Sequence, residues 1–155
     1  MRKTIRSRGP VVHEDWLNLS NIAQVEVTSE DPDYPIDTAL DSTNDISSPG
    51  WRAAVSGEQR ITLVFDTPQP IRRIKISFQE RRVARTQEFR LRWSRSGDGW
   101  QEIVRQQWNF SPESSPSEIE DYRVDLREVR MMELVIIPDI SGGESPASLS
   151  ALRLQ

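Results

Sequence analysis

Three segments of this chain alternate apolar and polar residues with a period of two, and that alternation commits the chain to β-structure. Ile61, Leu63 and Phe65 share one face of residues 61–66, Ile74, Ile76 and Phe78 share one face of the next segment, and Phe89, Leu91 and Trp93 oppose Glu88, Arg90 and Arg92 in a third. A strand with this pattern buries one face and wets the other. Thr67-Pro68-Gln69-Pro70 predicts a turn between the first two strands, and the Ser-Gly-Asp-Gly run at 96–99 predicts a hairpin leading into a strand over 100–104. Further strands are expected over 122–126, 133–137 and 149–154, with one helical turn near 35–40. Residues 111–121, rich in Ser, Pro and acid, predict a long solvated loop, and residues 138–146, with Gly142-Gly143, a shorter mobile one. Seven or eight short strands at this spacing point to an all-β, antiparallel sandwich or jelly roll.

A length of 155 residues fits one domain, expected over 16–155, with residues 1–15 as a basic, proline-punctuated tail or edge arm. The formal charge of −4 gives the molecule no general attraction to nucleic acid or anionic lipid. The lack of cysteine excludes disulfides, thiolate metal sites and thiol nucleophiles together. The basic start is followed by Gly9-Pro10 and not by an apolar stretch, so no export signal is visible and a cytoplasmic location is expected. No run approaches the roughly 18 apolar residues of a membrane-spanning helix.

Read in order, several landmarks stand together. Ala39-Leu40-Asp41 is followed by Trp51; a strand over 60–66 precedes a proline turn; Ile71-Arg72-Arg73-Ile74-Lys75-Ile76 follows; Phe89-Arg90-Leu91-Arg92-Trp93-Ser94 leads to Gly97-Asp98-Gly99-Trp100; and residues 147–154 close the chain. This succession resembles the discoidin family, also called the coagulation factor 5/8 type C or galactose-binding-like family, from about Ile22 to Leu154. The resemblance implies an eight-stranded jelly-roll β-sandwich without catalysis, whose loops at one end bind glycans, lipid headgroups or proteins.

Many such domains hold a structural calcium beside the Ala39–Trp51 stretch, and the resemblance offers Asp41, Asn44 and Asp45 as its oxygen ligands here. Two departures count against it: the separation of Asp41 from Trp51 is long for the family, and Ala151 stands where many calcium-binding members place Glu. The plainer reading has Asp41 and Asp45 capping turns, so no cofactor is required.

Recognition of a sugar needs an exposed aromatic ring beside hydrogen-bonding side chains. Trp93 lies on the apolar face of its strand and the resemblance implies that Trp51 and Trp100 pack inside, which leaves Tyr34 in its turn-rich Asp31–Pro35 segment, Trp108 and Phe110. Basic residues gather at Arg72, Arg73 and Lys75 and again at Arg90 and Arg92, where cross-strand acids would neutralise them. Arg81, Arg82 and Arg85 lie in a hairpin loop with fewer structural duties, and guanidinium suits carboxylate or hydroxyl recognition. Catalysis has little to stand on: His13 is the single histidine, and Glu118, Glu120 and Asp121 fall in the predicted acidic loop, where nothing would raise a carboxyl pKa. The expectation is a non-catalytic binding module for carbohydrate, using Tyr34, Arg81, Arg82, Arg85 and Trp108. The alternative is an intracellular protein-interaction or assembly module of the same fold.

Overall fold

Two antiparallel strands of 21 residues each, β3 (Gln59–Gln79) and β6 (Ser117–Ile137), run the length of the molecule and decide its architecture. In this computed structural model, which describes residues 1–3, 15–96 and 98–155, Gln59 faces Ile136 at one end of the ribbon and Gln79 faces Ser117 at the other. One half of the ribbon is flanked by β1 (Ala23–Val27) on the β3 side and by β4 (Arg85–Ser94) and then β5 (Gln101–Phe110) on the β6 side. The other half carries β8 (Ala151–Leu154) on β3, while β2 (Trp51–Ser56) and β7 (Pro146–Leu149) form a separate pair. Short helices α1 (Leu19–Ile22) and α2 (Ile36–Leu40) complete the set. This is the eight-stranded antiparallel jelly-roll sandwich expected for the chain.

The predicted turn at Thr67–Pro70 is a corner inside one continuous strand. The ladder to β6 lapses between Val64 and Gln69 and shifts register again before Ile71 and Arg73. Pro68 and Pro70 donate nothing to a ladder, so they are tolerated where it is interrupted, and bulges of this kind bend a strand sharply. Across from them Glu128 adopts φ 58°, the one positive φ among the described non-glycine residues. The segments expected at 122–126 and 133–137 are accordingly the two arms of β6.

Two other expectations change. The acidic loop shrinks to residues 111–116, because Ser117 onward pairs with β3. The closing strand is two: β7 pairs with β2, β8 pairs with β3, and between them the Ser150 N–H donates to the Ser77 carbonyl. Gly50 sits where this junction crosses the start of β2; at φ +64° a Cβ there would drive into the Leu149 and Ser150 carbonyl oxygens. His13 and most of the predicted tail lie outside the described residues.

The alternating apolar residues fill the space between the layers. Ile61, Leu63, Phe65, Ile74, Ile76, Phe78, Phe89 and Leu91 are essentially inaccessible and Trp93 is 7% exposed, with the Phe78 and Phe89 ring centroids 5.1 Å apart. On the wet face, charges pair across strands as expected: Arg73 grips Asp121 through two bonds of 2.9 and 2.7 Å, and Arg92 meets Glu133 at 2.7 Å.

Glu118 is a buried carboxyl whose hydrogen-bonding capacity is poorly met. It is 1% exposed; its Oε1 receives one long bond of 3.4 Å from Gln87, and its Oε2, the Trp108 indole N–H and the Tyr122 hydroxyl have no partner. Burial, reinforced by neighbouring Glu120, pushes its carboxyl up to about 8, so it is neutral at neutral pH. This overturns the expectation that a solvated loop leaves these carboxylates unperturbed. The native state therefore keeps a proton that the unfolded chain, near 4.5, gives up. Stability from this group is present below about pH 4.5 and is lost as pH rises toward 8. Glu118→Gln should then stabilise the fold above pH 8 by about 1–3 kcal/mol and flatten the fall of Tm between pH 5 and 9, as read by thermal melts across that range.

Candidate functional site

A groove of about 430 Å³ opens at one end of the sandwich, within the roughly 300–1,000 Å³ usual for small-ligand sites. Tyr34, Arg52, Glu80, Arg81 and Arg82 are its principal walls, and Ser148 of β7 lies among them. The chain arranges these residues by backbone pairing. Arg52 and Ser148 are register partners in the β2–β7 ladder, so they arrive side by side. The Asp31 carboxylate accepts the Asp33 N–H at 2.9 Å and the Asp31 carbonyl accepts the Tyr34 N–H, folding a tight turn. That turn is stitched to β2 by Asp31 N–H to Arg52 carbonyl (2.8 Å) and Arg52 N–H to Tyr34 carbonyl (3.2 Å). The Arg52 guanidinium consequently lies 4.4 Å from the Tyr34 ring centroid, in cation–π contact.

The opposite wall is the loop joining β3 to β4. Its shape depends on Glu80, whose carboxylate accepts Arg85 Nε at 2.7 Å and the Arg82 backbone N–H at 3.2 Å. Burial alone would raise that carboxyl, but the Arg85 and backbone bonds outweigh it and hold the group below its ordinary value. Arg81 donates to Gln79 Oε1 at 3.1 Å, and both Arg81 and Arg82 are exposed, as is Val83 beside them.

Of the five expected ligand-contacting residues, the structure brings together Tyr34, Arg81 and Arg82 and leaves out two. Arg85 is buried: besides Glu80 it donates to the Pro138 carbonyl at 2.7 Å and to Gln87, and it lies 4.7 Å from the Phe110 ring centroid. Its position at the start of β4 turns it into the anchor of the loop. Trp108, across from Gln87 in the β4–β5 ladder, packs against the core, and Phe110 is 2% exposed. Arg52 was missed by the sequence reading. The one available signal was parity, since a buried Trp51 obliges the next residue in a strand to point the other way.

Asp41, Asn44 and Asp45 do not form a cage. Asp41 caps a turn through the Thr43 hydroxyl and N–H, Asp45 does the same with Ser47, and these bonds hold both carboxyls below the usual range. The Asn44 amide donates to the Thr38 carbonyl. The carbonyls that turn inward here are already engaged by a cation from the chain itself. Arg153, 1% exposed, donates to the carbonyls of Ala39 (2.8 Å), Leu152 (3.1 Å) and Asn44 (3.1 Å). A calcium ion would have to take carbonyls from this guanidinium and sit beside its charge, so the residues present do not suit that ion, and no group of metal-ligating side chains occurs among the described residues. Arg153→Met should lower stability by about 2–4 kcal/mol, because buried carbonyls lose their donors. Calcium or a chelator should leave the wild-type Tm unchanged in differential scanning fluorimetry.

No family model and no curated protein matches this chain by sequence. Solved structures do. A pectin-binding carbohydrate-binding module aligns with a TM-score of 0.57 at 19% identity, over 86% of this chain and 90% of that one. The family 32 module of NanJ from Clostridium perfringens, in complex with galactose, aligns at 0.60 with 12% identity over 90% and 96%. The family 32 module of AlyQ, in complex with 4,5-unsaturated mannuronic acid, aligns at 0.59 with 16% identity over 86% and 95%. The chain thus has the β-sandwich fold of these modules.

Proposed function

We propose that the protein is a non-catalytic binding module that recognises carbohydrate at the groove between Tyr34, Arg52 and the Arg81–Arg82 loop. The observation that carries this reading is the convergence, on one concavity at an end of the sandwich, of ring and apolar surface from Tyr34 and Val83 with polar groups from Arg52, Arg81, Arg82 and Ser148. Sugars present C–H faces and a rim of hydroxyls, and such a wall meets both. The same fold in modules solved with galactose and with an unsaturated mannuronic acid supports it. A purely binding role is supported by the placement of the acidic groups. Glu118, the carboxyl with the strongly raised pKa, is sealed between the layers and does not line the groove, and Glu80 is committed to Arg85.

A glycan-array screen with the purified protein tests the reading. Wild type should give saturable binding that free glycan competes away, and Tyr34→Ala and Arg82→Ala should each weaken it about tenfold without shifting Tm by more than a degree or two. Folded protein that retains no glycan would reject the proposal and turn attention to a protein partner.

A further inference from the structure

The charge of the groove narrows its ligand, on the understanding that the carbohydrate reading above is right. Three guanidiniums, those of Arg52, Arg81 and Arg82, line this one concavity of a chain whose formal charge is −4. Among the described residues none of the three makes an ion pair. Glu80, the carboxylate in the lining, has its oxygens occupied by Arg85 and by the Arg82 backbone N–H.

Against three guanidiniums the lining offers one carboxylate, already engaged, beside neutral hydroxyls such as those of Ser148 and Ser150. Guanidinium offers five N–H groups and no acceptor, while a sugar hydroxyl both gives and takes a hydrogen bond. A group that only accepts suits this wall better, and a planar carboxylate matches the guanidinium fork with two parallel bonds. Part of the arrangement is set before any ligand arrives: Arg52 is held over Tyr34 at 4.4 Å and Arg81 is tethered to Gln79 at 3.1 Å. Less side-chain freedom is then lost on binding. Val83, 47% exposed at the rim, and Tyr34 supply apolar surface beside the charges, which a bare inorganic anion would not use.

We infer that the groove is selective for an acidic sugar, a uronic acid unit whose carboxylate is received by Arg82 and Arg81 with Arg52 opposite, and whose ring lies against Tyr34 and Val83. Sulfate esters share the anionic chemistry, so the probes must separate the two.

The test is affinity electrophoresis and calorimetry of the full chain with polygalacturonate, with the same polymer fully methyl-esterified, with neutral galactan and with dextran sulfate. Polygalacturonate should bind at least about tenfold more tightly than its methyl ester, weaken as salt is raised, and lose about tenfold with Arg82→Gln and with Arg81→Gln. Both of those residues are exposed, so the variants should melt with wild type; Arg52→Gln, nearer the fold, serves only as a third point. Equal binding of the methyl ester, or of galactan alone, overturns the acidic-sugar inference while leaving carbohydrate recognition standing. Dextran sulfate bound more tightly than polygalacturonate overturns the uronate assignment in favour of sulfate. Retention of none of the four polymers by folded protein removes both readings.

Discussion

The antiparallel pairing of β3 with β6 is the interaction on which the remaining structure depends. Because both strands continue through a corner, one ribbon contributes to both layers of the sandwich; β1, β4 and β8 are placed by where they add to that ribbon, and β5 follows on β4. The corner needs its irregularities. Bulges around Gln69 and the left-handed Glu128 bend the two strands together, and the apolar faces of both arms are turned toward a common interior. The groove is a by-product of the same geometry, since Gln79 at the end of β3 and the β7–β8 junction beside Ser77 bring the Arg81–Arg82 loop against β2 and β7.

Alternation made most of this legible in the sequence. The apolar positions of β3 and β4 occupy the core as their period of two required. What alternation could not convey was continuity. Prolines at 68 and 70 read as a turn in sequence, and only the partner strand reveals that the ladder has lapsed at their position. The start of β6 was hidden for a related reason: Ser117 to Asp121 is so polar that its period of two carries no hydrophobic contrast, although Glu118 faces inward and Ile119 outward. That inversion, an acid inside and an isoleucine outside, runs against the rule by which strands are recognised.

The site was legible in part, and the division has a physical basis. Tyr34, Arg81 and Arg82 belong to turns whose composition marks them as exposed. Arg85 has the same residue type and sits three positions further on, but it is the first residue of a strand and turns inward to Glu80, Pro138 and Phe110. Similarly Arg153 reads as one polar residue in an apolar closing strand, and nothing local announces that it satisfies carbonyls more than a hundred positions earlier in the chain. In both cases a buried arginine is acceptable because its donors are matched by acceptors in place, which is a property of the fold and not of the segment.

The Glu80–Arg85 pair separates two tasks within one short loop. Its ends are fixed by a buried ion pair and a carbonyl clamp, while the residues between them face outward and contribute nothing to the core. A change at position 81, 82 or 83 thus alters what the groove offers without unsettling the strands that present it. A sandwich built this way can acquire a new ligand preference by substitution at its rim alone, and its recognition surface can diverge much faster than its framework.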